Sequence, residues 1–543
     1  MMVTSSSIDD LRPVTPSIVE EAIKHLKSNK NDPIFEFSSE CLKNAPVVLC
    51  EHLALLFRHY LKHGHISSTL MLSTLIPLIK DKLGDITSSN NYRSIALSSL
   101  ILKVFDWVVL LLHRDNLKID ELQFGFQQDT STTMCTWLAV ETIDYFLRNG
   151  SDVFVCVMDM TKAFDKVQHS KLFWKLVEKG VPPIFIRLLL VMYNKQLANV
   201  RWNGVLSDSF FVRNGVKQGA VLSPILYCIY IDSLFTHLRK KKTGCWVNGT
   251  YVGIVAYADD LMLLSPTLDG LQEMTKTCED YANTHNLSFS TNPIIKKCKT
   301  KCLAFLKKER NLSNIKLNGM ELPWVDTAKH LGCRFGPKNH GLLRDLMEKR
   351  ALYINKVNEL NQEFHYAHPL SKVKINKFFN THFYGSQLWN LFSEEANRLE
   401  KTWNISQRIM LGVPRNTHRY FIEPLTETQH IIFSLQKRFI KFIDSIKSST
   451  KLVLRNMLEI IKHDCRSTTG RNVRQIMLLL DKGNINEVSN NDFKKQTYND
   501  IPSGQEWKVC LAKELIQIKN NELVTESLNR TEVDEILNHI LTY

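Results

Sequence analysis

The stretch VAYADDLMLL, residues 255–264, sets two aspartates, Asp259 and Asp260, inside an otherwise apolar run. An unpaired carboxylate buried in a strand costs several kcal/mol, so a strand interior is a poor place for either. A turn at Ala258-Asp259-Asp260 resolves the conflict. Two short apolar strands between Val252 and Ser265 then form a hairpin whose tip carries the acids, open to water or a cation. A third acid, Asp159, lies near the end of DVFVCVMDM (152–160), whose Val, Phe and Cys content predicts a buried strand. If these strands are neighbours in one sheet, three carboxylates meet at its edge. Like charges that close repel, and protein alone would force one acid to keep a proton. Divalent cations remove that problem. Magnesium prefers carboxylate and phosphate oxygens and usually keeps several waters. Two such ions about 3.5–4 Å apart can activate one oxygen and stabilise a leaving one, the chemistry of phosphoryl or nucleotidyl transfer. The plainer alternative makes Asp159 a helix cap and the hairpin acids ordinary turn residues.

The elements that must position these acids follow from pattern. TPSIVEEAIKHL offers Thr15 as an N-cap, Pro16 in the first turn and apolar residues at helical spacing. STLIPLIK (73–80) reads as a strand and SSLILKVFDWVVLLLH (98–113) as a largely apolar helix. Helices are predicted near 170–180 and 183–196, then a hairpin over 198–216 turning at Asn203-Gly204. Pro224 opens a further helix, 268–285 is amphipathic, a basic strand covers 299–306, and a hairpin turns near Asn318-Gly319. From about 340 onward the chain is helix-rich and basic. Strands separated by helices predict an α+β fold with one sheet covered on one face.

Composition bounds the partners. The chain has 543 residues, 44% hydrophobic and 23% charged, which suits two to four globular domains. No run of 18 uncharged apolar residues occurs, so no membrane span is expected, and MMVTSSSIDDLRP lacks the order of a secretory signal. The net charge of +14 is concentrated in RKKK (239–242) and KKCKTKCLAFLKKER (296–310). Basic runs on either side of the acidic pair suit a surface that follows phosphates; read singly, each is a solvated face. The 12 cysteines form no regular framework and read as reduced thiols. Cys298-x3-Cys302 with His330-x2-Cys333 is the one arrangement that hints at zinc, and its wide gap favours ordinary packing.

YADD (257–260) resembles the Tyr-x-Asp-Asp box of reverse transcriptases, and MDMTKAFDKV (158–167) the box that supplies the other acid in non-LTR (LINE-type) retrotransposons. GVKQGAVLSPILY (215–227) is similar to the Gln-Gly box between them. NYRSIALSS (91–99) and QFGFQQDTST (123–132) resemble the preceding fingers boxes. NLSFSTNPIIKKCKTKCLAF (286–305) resembles the lysine-bearing segment that follows, and HLGCRF (330–335) the strand leading to the thumb. The order of these boxes is the family's order.

The resemblance implies a right-hand polymerase fold, with a helical N-terminal linker region over 1–60, fingers and palm over 61–335, a thumb over 336–425 and a helical C-terminal region over 426–543. It implies RNA-directed DNA polymerase activity, with an RNA template, a DNA primer, dNTPs and Mg²⁺, in the nucleus or cytoplasm. Asp159, Asp259 and the Met160 carbonyl become metal ligands, with Asp260 the weaker one. Phe164 becomes the aromatic gate against a 2′-hydroxyl. Gln218 and Gly219 line the nucleotide and template pocket, where glycine permits close backbone approach. Lys80 and Arg93 grip the triphosphate, and Lys299, with Lys301 as rival, faces the leaving pyrophosphate. The chain departs from the family at Gln127-Gln128-Asp129 and at Ser94. FYGSQLWNLFSEEANRLEKTWN (383–404) resembles the same retrotransposon group less specifically. The expected endonuclease is missing ahead of residue 60, which reads as a fragment or truncated copy. Two other functions stand beside polymerisation: a decayed or domesticated copy that binds RNA without synthesis, and an unrelated metal-dependent phosphohydrolase.

Overall fold

Thr15 caps the first helix: its hydroxyl accepts the Ile18 N–H at 3.4 Å, and Pro16 occupies the first turn of α1 (Pro16–Lys24), where no N–H is needed. This computed structural model describes residues 14–292, 298–337, 340–379, 383–483, 487–488, 492, 506–520 and 530–542. After α1 come α2 (Ser39–Lys43), α3 (Val47–His63) and α4 (Ser68–Met71), then β1 (Leu72–Ile79), β2 (Tyr92–Ser98) and α5 (Leu100–His113). The N-terminal helices are packed, with α1 against α3 and α5. Asp32, 5% exposed, ties them down. Its carboxylate accepts the Ser99 hydroxyl at 2.9 Å and the Leu100 N–H at 2.6 Å, closing the open N-terminus of α5.

The middle of the chain continues with α6 (Thr132–Arg148), β3 (Val153–Asp159), α7 (His169–Glu178), α8 (Pro183–Asn194), β4 (Leu197–Trp202), β5 (Val205–Leu206), β6 (Phe210–Phe211) and α9 (Ser223–Lys240). It then runs through β7 (Trp246–Val247), β8 (Thr250–Tyr251), β9 (Ile254–Tyr257), β10 (Asp260–Ser265), α10 (Leu268–Thr284) and β11 (Lys301–Phe305). Two small hairpins follow, β12 (Lys316–Leu317) with β13 (Met320–Glu321) and β14 (Ala328–His330) with β15 (Cys333–Phe335).

The expected single sheet forms from the strands at 153–159, 252–265 and 299–306, and β1 and β4 build a second main sheet. One has the order β2-β1-β4-β5, with β6 also on β4; the other has the order β11-β3-β10-β9 and is antiparallel throughout. The burial patterns give the reason. β1 and β4 are only partly buried and end exposed, whereas β3 and β10 are buried almost throughout. Strands with one wet face and strands buried on both do not suit the same layer. β1 instead pairs in parallel with β4, Leu72 opposite Leu197, across the segment that contains β3. Helices α6 and α10 pack on the second sheet, and Leu261 to Leu264 have no exposed surface.

The rest is helical: α11 (His340–Glu363), α12 (Pro369–Phe379), α13 (Glu394–Leu411), α14 (Ile422–Thr426), α15 (Ile431–Lys447), α16 (Leu452–Ile461) and α17 (Thr468–Leu479), then helices Glu506–Asn520 and Arg530–Thr542. α16 and α17 seat on α6 through buried polar contacts. Trp137 Nε1 donates to the Thr469 hydroxyl at 3.0 Å, and that hydroxyl donates to Glu141 at 2.6 Å. Arg148 pairs with Asp464 at 2.8 Å. Burial, reinforced by Asp144, pushes Glu141 up to about 7. No helix among the described residues is long and apolar enough to cross a membrane.

The motif FYGSQLWNLF folds around a buried ion pair. Asp345, 3% exposed, accepts Lys349 Nζ at 2.9 Å, Trp389 Nε1 at 3.0 Å and the Arg334 N–H at 3.0 Å. Removing the acid strands a buried ammonium. Asp345→Ala should therefore cost about 3–5 kcal/mol of stability. A shift in the urea unfolding midpoint measures it, and an unchanged midpoint would show that the pair contributes nothing.

Candidate active site

β3 and β10 are adjacent and antiparallel, and their register sets Asp260 directly opposite Asp159. β9 and β10 join through Ala258 and Asp259 alone, so Asp259 stands at the hairpin tip. Ala258 has φ +57° at the first loop position, the sign that two-residue hairpins require. The three acids are thus brought to one end of one sheet. The segment Ser288–Ser290 continues that edge: Thr161 N–H donates to Ser288 C=O and Ser290 N–H to Asp159 C=O, both at 2.8 Å. This bridge uses the groups on either side of Met160 and leaves the Met160 carbonyl outside its hydrogen bonds.

Asp259 and Asp260 have raised proton affinity. Burial pushes Asp260 up to about 6, helped by Asp259 and then Asp159, while Lys299 and Arg93 pull the other way. Burial also raises Asp259, with Asp159 adding to it and Arg93 and Lys299 opposing. Lys299 Nζ lies 3.4 Å from Asp159 Oδ2. Lys301 is partnered with Val157 across β3–β11. Both lysines line a cavity of about 430 Å³ with Asp159, Asp260 and the β14–β15 turn, and only Lys299 is paired with an acid there. Of the two, Lys299 is the one that stands beside an acid of the site.

Cations gather over the acids from the first sheet. Burial, then Arg93, Lys162 and Lys299, push the Lys80 ammonium below its ordinary range, so these groups share one space. Arg93 projects from β2 and is exposed. The Gln-Gly loop lies against the same strand, with the Ala96 N–H donating to Gln218 C=O at 2.7 Å. Gly219 has φ +114°, and a Cβ there would sit 2.8 Å from the Ala96 carbonyl oxygen, so only glycine fits. Gln218 Nε2 donates to Asp165 at 3.0 Å.

Phe164 stacks on the fully buried Tyr227 at 4.8 Å, and the Tyr227 hydroxyl donates to Met160 Sδ at 3.1 Å. The ring is therefore fixed beside Met160. Phe126, which pattern reading passed over, joins it. Phe126 is 46% exposed at φ +58°, with its ring 6.3 Å from Phe164 and 6.4 Å from Tyr257. A bulky residue at positive φ is strained, and such strain collects at working sites. A second missed residue is Gln123, whose carboxamide accepts the Ala258 N–H at 2.8 Å. Its one sequence signal is a polar residue inside the apolar run LQFGF.

Among the described residues no three acids, histidines or cysteines close into a ready-made metal cage. The zinc hint dissolves into packing: Cys302 opposes Cys156 across β3–β11, and His330 opposes Cys333 across β14–β15.

An antiparallel sheet ending in three acids, with a second sheet presenting cations over it, agrees with a right-hand polymerase fold. Residues 80–335 match the family described as reverse transcriptase (RNA-dependent DNA polymerase). The relatives this chain resembles are named as RNA-directed DNA polymerases or Pol polyproteins of transposable elements. It is 25% identical over 434 residues to a probable RNA-directed DNA polymerase from transposon BS of Drosophila melanogaster, covering 74% of this chain and 45% of that one. It is 25% identical over 330 residues to the polymerase from mobile element jockey of Drosophila funebris, covering 59% and 35%. With the Pol polyprotein of element R2DM of Drosophila melanogaster it shares 26% identity over 256 residues, covering 45% and 23%. The chain thus spans less than half the length of these curated relatives.

The raised Asp260 has a thermodynamic consequence. Its folded pKa lies above the unfolded value, so the native state binds more protons and stability falls as pH rises from about 4 through about 6. In chelator, the melting temperature of wild type should fall across that window more steeply than that of Asp260→Asn. Parallel curves for the two proteins would refute the assignment.

Proposed function

We propose that this chain is an RNA-directed DNA polymerase that extends a DNA primer on an RNA template. The observation that carries the reading is the β3–β10 register, which sets Asp260 across from Asp159 with Asp259 at the adjoining tip. Asp159 and Asp259, with the Met160 carbonyl, would hold two Mg²⁺ ions, and Asp260 would hold them from the side. The residues fit such ions: hard oxygen donors, crowded enough that burial and mutual repulsion raise Asp260 to about 6. When bound, the ions supply charge stabilisation and an activated primer hydroxyl.

The chain's own residues do the rest. The primer 3′-oxygen attacks the α-phosphorus of the dNTP, the bond to the bridging oxygen breaks, and pyrophosphate leaves. Lys80 and Arg93 orient the triphosphate from the fingers side, so the reacting atoms meet in line. Lys299, beside Asp159, neutralises charge on the departing pyrophosphate. Gln218 and Gly219 form the wall against which base and sugar lie. Phe164, immobilised on Tyr227, closes the space beneath the sugar against a 2′-hydroxyl. We place the thumb in the helices after residue 336, where backbone contacts to a duplex need no base-reading groups.

Two measurements test this. With primed RNA, dNTPs and Mg²⁺, extension should be seen, and Asp259→Ala should lower it about 100-fold or more. RNA binding without extension would replace the polymerase with a binding protein, and primer-independent nucleotide hydrolysis would replace it with a phosphohydrolase. Phe164→Val should raise ribonucleotide incorporation about tenfold or more. Unchanged sugar discrimination would remove Phe164 from the gate.

A further inference from the structure

The aim of Asp259 depends on Ala258, which precedes it at φ +57°. An alanine pays about 1–2 kcal/mol for that conformation, so something must hold it. The neighbouring group is the carboxamide of Gln123, which has no exposed surface. Oε1 accepts the Ala258 N–H and the Gly125 N–H, each at 2.8 Å, and Nε2 donates to the Ala258 C=O at 3.2 Å. One side chain grips both polar groups of the strained residue. The backbone around it is equally close. Phe124 N–H donates to Ala256 C=O at 2.7 Å, and Ala256 N–H to Leu122 C=O at 2.9 Å, so residues 122–124 lie beside β9 through a parallel bridge of Gln123 to Ala256. A Cβ at Gly125 would fall 2.3 Å from the Ala258 nitrogen, which leaves no room for a side chain.

The outer side of this segment is held from far along the chain. Lys451, which immediately precedes α16, is 8% exposed. Its ammonium donates to Gln123 C=O at 3.0 Å, 328 residues away in sequence, and to Glu121 C=O at 2.8 Å. It also lies 5.0 Å from the centre of the Phe124 ring. Val453 N–H donates to the Glu121 carboxylate at 3.2 Å. Two carbonyls that would face a dry helix interface unpaired are satisfied together, which fixes residues 121–124 against the C-terminal helices.

We propose that Gln123 is a positioning residue for the acid-bearing hairpin and that Lys451 acts through it, so that the C-terminal helices help to aim Asp259. This rests on the reading of Asp159, Asp259 and Asp260 as metal-binding acids. Neither Gln123 nor Lys451 touches substrate.

The full chain carrying Gln123→Met, Lys451→Met, both changes, or Lys451→Arg would be assayed for kcat, dNTP KM and Mn²⁺ affinity by electron paramagnetic resonance. Rates are normalised to the folded fraction. Each methionine variant should lose about 10–100-fold in kcat with dNTP KM within about twofold. Mn²⁺ binding should weaken about tenfold. The double variant should be no slower than Gln123→Met beyond about twofold, because the two act in series. Lys451→Arg, which still offers donors to both carbonyls, should recover most of the rate. A kcat within twofold of wild type in either methionine variant overturns the proposal. So do losses that multiply in the double variant, or losses that vanish after normalisation. If wild type itself extends no primer, the polymerase reading fails separately. Mn²⁺ affinity then decides alone: weakened binding in both methionine variants supports the positioning role, and equal binding overturns it.

Discussion

Mutual repulsion among Asp159, Asp259 and Asp260 is the constraint around which the molecule is arranged. Two of these acids are consecutive in sequence and the third faces one of them across a strand pair, so they cannot separate without breaking the ladder. Burial makes each charge dearer, as the upward shifts of Asp259 and Asp260 show. The free energy that opposes this comes from the strands below. β3 and β10 bury nearly every side chain, and such burial is worth about 1.5–3 kcal/mol for each large apolar residue. The acids sit where the buried ladder ends, so sheet packing fixes their spacing without burying all of their oxygens. Lys299 and Arg93 reduce the repulsion from outside.

Holding charges together is only half of the arrangement; the approach to them must also stay open. The chain manages this with backbone conformations that side chains disfavour. Ala258, Lys162 and Phe126 all lie at positive φ around the site, each costing on the order of 1–3 kcal/mol. Gly219 allows the Gln-Gly loop to press against β2 with no side chain between. The loop also hydrogen-bonds back to the Phe164 segment, Val216 N–H donating to Phe164 C=O at 2.8 Å. Hydrogen bonds thus tie the Phe164 segment, the Gln218-Gly219 loop and β2 to one another.

Much of this could be read from residue order. Thr15 and Pro16 announce α1, the apolar run at 153–159 announces β3, and Asn203-Gly204 announces a hairpin, because each signal is local. The acidic hairpin was legible for the same reason: a pair of aspartates interrupts an apolar run at a spacing that only a turn satisfies. The division into two sheets was not legible, since β1 finds its partner β4 more than a hundred residues away and periodicity carries no pairing information. Spacing alone left Lys299 and Lys301 equivalent; the position of Lys299 before β11, with Lys301 already inside that strand, separates them. Gln123 and Lys451 were invisible as a pair, because nothing local marks a lysine whose partners are carbonyls on another part of the chain.

That last pairing changes how the helical half relates to the palm. α16 and α17 pack against α6, the helix that lies under the acid-bearing sheet, through the Trp137–Thr469–Glu141 chain and the Arg148–Asp464 pair. These contacts are buried and polar, and polar networks in dry interfaces tolerate only narrow geometry. The helices therefore hold the back of the sheet at α6 and its edge at residues 121–124, two places that the strands themselves do not join. A hairpin that carries two like charges and faces a third gains little from more apolar burial, since its tip must remain wet. It gains from having its edge fixed by a distant element whose own stability is independent of the charges, and the C-terminal helices meet that requirement.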